Sequence, residues 1–118
     1  MAEYFIFVQT DPTTESETQS DDAKDLYAKV DALNKEMTAA GVYVDAGGFK
    51  PSKESFKARF AKDTAPKIVP GPFDLNTETH VCGFWRIKVK DADEAQQWVK
   101  KVPFTSGEVV VHKLSADC

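Results

Sequence analysis

The sequence has few of the residues from which metal and cofactor sites are assembled. It holds only two histidines, His80 and His112, and two cysteines, Cys82 and Cys118, at spacings that make neither a zinc motif nor a disulfide framework. No metal is expected, and the cysteines read as a small half-buried hydrophobe, Cys82, and an exposed thiol, Cys118. A Gly-x-Gly-x-x-Gly turn is missing, so Gly47-Gly48 is not a dinucleotide fingerprint and no cofactor is expected. Basic clusters are missing as well. The net charge is −4 with lysines and arginines spread along the chain, which argues against nucleic-acid binding, a function dominated by clustered cations. No apolar run approaches the roughly 18 residues of a membrane span. The opening Met1-Ala2-Glu3-Tyr4 lacks the basic start of a signal peptide, so the expectation is a cytoplasmic protein that does not engage membranes.

What is present is an ordinary globular composition: 118 residues, 42% hydrophobic, enough for one domain over 1–118 and one core. Glu3 to Gln9 is an apolar, aromatic and β-branched run that reads as a central strand covered on both faces. A polar loop follows from Thr10 to Gln19. Ser20 offers a helix cap, and Ala23, Leu26, Tyr27, Val30, Leu33, Met37 and Ala40 repeat at helical spacing up to Gly41. Val42 to Val44 is extended again. Ser55 to Phe60 and Lys67 to Val69 alternate around a polar turn and read as a β-hairpin ending at Pro70.

The chain's most strand-like segment begins at His80. Alternation sends Val81, Gly83, Trp85, Ile87 and Val89 to one face, read as core, and His80, Cys82, Phe84, Arg86 and Lys88 to the other. That second face mixes an imidazole, an aromatic ring and cations, the composition of a pocket or an interface. Asp91 and Glu94 then have capping-box spacing before a second helix that runs to Val102 and is stopped by Pro103. Gly107 to Leu114 is the last strand.

The order β, α, β, hairpin, β, α, β predicts an α+β fold of the ferredoxin-like, split βαβ kind with an inserted hairpin. Such a sheet has helices on one face only. Strand one is apolar on both faces, so a homodimer that packs sheet against sheet is expected, since each large apolar side chain left in water forgoes roughly 1.5 to 3 kcal/mol.

Gly41-Val42, then Gly47-Gly48-Phe49-Lys50-Pro51-Ser52, Gly71-Pro72-Phe73, Thr77, Gly83-Phe84 and Asp91-Ala92-Asp93-Glu94-Ala95 before Trp98 and Pro103 resemble, over nearly the whole chain, the YCII-related proteins of the DGPF type. The resemblance implies a dimeric α/β barrel of ferredoxin-like subunits with a cavity between the sheets. Members are mostly uncharacterised, some are linked to sigma factors by genomic association, and in a branch with lactone dehalogenase chemistry a His and Asp pair is implicated. Here Pro70 replaces the acid that opens the family motif, Asp74 follows Phe73 as an insertion, and the first helix has no histidine, so that pair does not carry over.

The candidate site residues are His80 as general acid-base, with Thr77, Glu78 and Asp74 beside it, and Arg59, Phe73, Phe84, Arg86 and His112 as ligand contacts. Each has a plainer reading. His80 is a strand-end imidazole, His112 a satisfied sheet-face residue, the arginines partners of neighbouring acids, and the rings core or dimer contacts. Whether the protein is an enzyme stays open at this point. The leading expectation is a homodimer that binds a small organic ligand, with an anionic one among the options, between sheets; whether the Thr10 to Gln19 loop closes over that cleft stays open. The alternatives are a lactone or enol enzyme acting through His80, and a protein-binding accessory factor.

Overall fold

A computed structural model describes residues 1–10, 22–50, 52–74, 79–105 and 107–115. The loop to Gln19, the Ser20 cap, Thr77, Glu78 and Cys118 lie outside the described residues. The elements are β1 (Ala2–Thr10), α1 (Asp22–Ala39), β2 (Tyr43–Gly48), a 3-10 turn (Ser52–Glu54), β3 (Phe56–Arg59), β4 (Lys67–Pro70), β5 (His80–Val89), α2 (Ala92–Val99) and β6 (Val109–Lys113). The fold is mixed α+β. Four strands form one antiparallel sheet in the order β2-β5-β1-β6, and β3 and β4 form a separate hairpin. Because β1 and β2 both run antiparallel to β5, they are parallel to each other with β5 between them, and α1 is the connection that crosses over.

Alternation decides which residues the helices cover. Tyr4, Ile6 and Val8 of β1 share a face with Trp85, Ile87 and Val89 of β5, and all six are buried against Leu33, Met37, Val42 and Ala95. Full burial of Ile6, Ile87 and Met37 contributes roughly 1.5 to 3 kcal/mol each. The stripe of α1 that packs on the core is Val30, Leu33 and Met37, spaced three and four residues apart, with Leu26 half-buried one turn before it. Tyr27, expected on that stripe, sits about 100° around the helix from Leu26 and is exposed. The Trp85 indole N–H donates to Asn34 Oδ1 at 2.6 Å, which fixes α1 over β5. Glu36 of α1 and Lys101, in the turn that follows α2, form an ion pair.

The helix signals act as the sequence predicts. Val42 N–H donates to Met37 O and Gly41 N–H to Thr38 O, with Gly41 at φ 74°, a left-handed turn that suits glycine and ends α1. Asp91 accepts from Glu94 N–H at 3.0 Å, and Glu94 accepts from Lys90 N–H at 3.2 Å, so the capping box reaches one residue further back than usual. The second helix ends at Val99, earlier than its apolar pattern suggests, because the N–H groups of Lys101 and Val102 turn back three residues to Trp98 and Val99. Val102 and Phe104 still pack on the core.

Candidate functional site

The face of the sheet turned away from the helices carries the odd-numbered residues of β1. Phe5 and Phe7 stack at 5.5 Å, Phe5 meets Phe84 at 6.1 Å, and Phe84 stacks on Phe49 at 5.9 Å. At the other end Phe7 touches His112 at 5.9 Å. The result is a row of aromatic rings that crosses the sheet from β2 through β5 and β1 to β6. Gly47, opposite Phe84 in the register, makes this possible: a Cβ there would lie 3.0 Å from the Phe84 ring. Phe5, Phe7 and Phe84 are only half-buried, and among the described residues no helix lies over this face.

Arg86 stands in the same row. Its Nε donates to Glu3 Oε1 and its NH2 group to Glu3 Oε2, both at 3.2 Å, and the guanidinium lies over the Phe5 ring at 5.5 Å from its centre. The pair is partly exposed, so its charge is screened and largely matched. An anion arriving at Arg86 competes with Glu3. The open face is therefore an aromatic surface with a neutralised polar end, better suited to flat apolar groups or a second sheet than to a highly charged molecule.

A second cluster lies at the base of the hairpin. Ser52 is 1% exposed, its carbonyl accepts from Ser55 N–H at 2.9 Å, and its hydroxyl oxygen accepts from Phe73 N–H at 3.1 Å. Gly71 N–H donates to Ser55 O at 2.8 Å. A Cβ on Gly71 would lie 1.7 Å from the Ser52 carbonyl oxygen, a separation no side chain tolerates, so only glycine fits. The Gly71–Pro72 peptide is cis. Two motif segments some twenty residues apart, ending in Ser52 and beginning at Gly71, thus clasp each other and close the hairpin. Phe73 then presents its ring edge-on to His80 at 5.2 Å, and Lys57 Nζ sits 5.0 Å from the centre of the same ring. His80 Nδ1 is buried with no hydrogen-bond partner among the described residues, a polar atom of the kind that costs stability unless something supplies a partner.

The structure therefore divides the sequence-predicted site residues. Phe84, Arg86 and His112 belong to the aromatic row, while Phe73 and His80 belong to the clasp. Arg59 is exposed on the hairpin. The expected alternation from His80 to Lys88 breaks at Cys82, where the β1–β5 register shifts: Val8 pairs with Gly83 but Gln9 with Val81. The extra residue, Cys82, packs against the core, and its carbonyl accepts from Phe49 N–H at 2.8 Å. A bulge of this kind re-aims whatever precedes it, which is why His80 meets Phe73 rather than Phe84. Sequence reasoning did not single out Phe5, Phe7, Glu3, Phe49 or Ser52. Phe5 and Phe7 had a usable signal, two aromatics at period two on one face of a strand whose other face, Tyr4, Ile6 and Val8, already supplies the core.

No protein-family model matches the chain, and no curated protein matches it. No helix among the described residues is long and apolar enough to cross a membrane.

Proposed function

We propose that the chain is a ferredoxin-like, split βαβ subunit of the YCII-related, DGPF type that works in the cytoplasm as a homodimer, with two sheets facing each other and a small organic ligand held between them. One observation carries this reading: the row Phe49, Phe84, Phe5, Phe7 lies on the helix-free side of the sheet and is only half covered. The strand order and the parallel relation of β1 to β2 around β5 agree with such a subunit. A second sheet packing about 10 Å away removes the rings from water. The favoured ligand is flat and largely apolar, with at most one anionic group, because Glu3 already satisfies Arg86. Phe84 supplies stacking and Arg86 and His112 the polar ends. A thermal-shift screen of neutral and singly charged aromatic compounds tests this. Stabilisation that vanishes in Phe84→Ala supports the contact, and stabilisation that persists in both Phe84→Ala and Arg86→Ala rejects it.

A second reading is favoured by the buried, unpartnered Nδ1 of His80. In it the imidazole exchanges a proton with a lactone or enol substrate, its plane held by the edge-on contact with Phe73. Acid-base catalysis by one residue contributes about 10²- to 10⁴-fold. Turnover of such a substrate at an undiminished rate in His80→Ala rules this out.

A further inference from the structure

The β3–β4 hairpin consists of two strands outside the main sheet, and two strands by themselves are marginally stable in water. Its register sorts the side chains cleanly. Phe56, Ala58, Ile68 and Pro70 share one face, while Lys57, Arg59, Lys67 and Val69 share the other. The apolar face is bare: Phe56 is 67% exposed, Ile68 56%, and Phe60, just past the strand, 81%. The cationic face sets Arg59 directly opposite Lys67, a like-charge pair that weakens the hairpin. On the second face Lys57 lies over the Phe73 ring, while the apolar face finds no cover among the described residues.

The position of the arm narrows what supplies that cover. The clasp of Ser52 and Gly71 fixes its base. Phe49, which leads into it, is 53% exposed and stacks on Phe84, so the arm departs on the side of the open aromatic face. Charge narrows it further. Between Phe49 and Pro70 six cations stand against two acids, a net of +4, whereas the whole chain carries −4, so the rest of the chain carries −8. Six of the chain's 15 lysines and arginines thus fall in this one stretch, opposite in sign to the rest of the chain.

We propose that this hairpin is an embracing arm: in the dimer it lies against the body of the second copy, burying Phe56, Phe60 and Ile68 there and setting its lysines and Arg59 against that copy's acidic surface. The inference rests on the face-to-face dimer proposed above and adds the contact that secures it. At about 200 Å² for a large side chain, the exposed parts of Phe49, Phe56, Phe60 and Ile68 amount to roughly 500 Å² per copy. Two reciprocal arms reach roughly 1,000 Å², the area at which an association becomes specific. A second copy, rather than another partner, provides both the opposite charge and the symmetry that buries both arms at once.

The test is the dimer dissociation constant, measured by sedimentation velocity over a dilution series for the wild type and three variants. Phe60→Ser with Ile68→Ser is expected to weaken the dimer by about 30-fold or more, as loss of central anchors does. Lys62→Glu with Lys67→Glu changes only exposed side chains and so keeps the experiment decisive if the first variant does not fold. It is expected to weaken the dimer at low salt by about tenfold and to flatten its salt dependence. Phe7→Ser reports on the sheet face alone. If both hairpin variants dimerise like the wild type while Phe7→Ser does not, the arm is overturned and the sheet-face dimer stands. A wild type that stays monomeric overturns both. Capture of the wild type by phosphatidylserine vesicles, lost in the hairpin variants with the dimer constant unmoved, also overturns the arm and assigns the hairpin to a membrane surface.

Discussion

The two faces of the main sheet are made by the same strands yet packed by opposite rules. On the helix side, Tyr4, Ile6, Val8, Trp85, Ile87 and Val89 are buried by Leu33, Met37 and Ala95, and the branched residues interlock as core residues do. On the other side, Phe5, Phe7 and Phe84 lie against one another, stop at half-burial, and end at an Arg86–Glu3 pair that still touches water. The subunit measures 47 × 42 × 18 Å, and its thin dimension is that of one sheet and one layer of helices, so among the described residues no second layer lies on that side. One face is a finished interior. The other has the composition of an interface core, aromatic at the centre and charged at the rim.

The first way to break this contrast is on the finished face. Ile87→Ala is expected to lower stability by about 2 to 5 kcal/mol, because it leaves a cavity where no residue can move in. The loss should be the same at every protein concentration in chemical denaturation. A loss that shrinks on dilution would mean that this face, too, depends on association.

Gly71→Ala sharpens the contrast from a place on neither face. The added methyl meets the Ser52 carbonyl, so about 1 to 3 kcal/mol of strain is expected. Amide exchange should rise around Ser52 to Phe73 while Ile6 and Ile87 stay protected. Uniform loss of protection would show that the clasp belongs to the core. Asn34→Ala, which leaves the Trp85 indole N–H without its acceptor, is expected to cost about 1 kcal/mol, read as a modest fall in melting temperature. Smallest is Glu3→Gln, which removes a partly exposed ion pair worth about 0.2 to 1 kcal/mol. It should also free Arg86 and improve binding of singly anionic aromatics in the thermal-shift screen. Weaker binding would show that Glu3 itself contacts the ligand.

Much of the fold was legible because its signals are local. The period-two run of β1, the Gly41 stop of α1, the Asp91 and Glu94 cap and the alternation around the hairpin each need only a few neighbouring residues to be read. The uncovered face was legible from strand one being apolar on both sides, with helices expected to cover only one of them. The site was less so. Whether His80 joins Phe84 depends on a bulge at Cys82, and that is decided by pairing with Gln9, some seventy residues away. The role of Gly71 follows from a contact with Ser52 that no spacing rule encodes. An acid partner for Arg86 was among its readings in the sequence, but Glu3 becomes that partner only once β1 and β5 are paired.

The most direct test is sedimentation equilibrium of the wild type alongside a Phe7→Ser, Phe84→Ser double variant at micromolar concentration. The account predicts twice the 13.1 kDa subunit mass for the wild type and a folded single subunit for the variant. A wild type that sediments as one folded subunit, with its aromatic row in water, contradicts it.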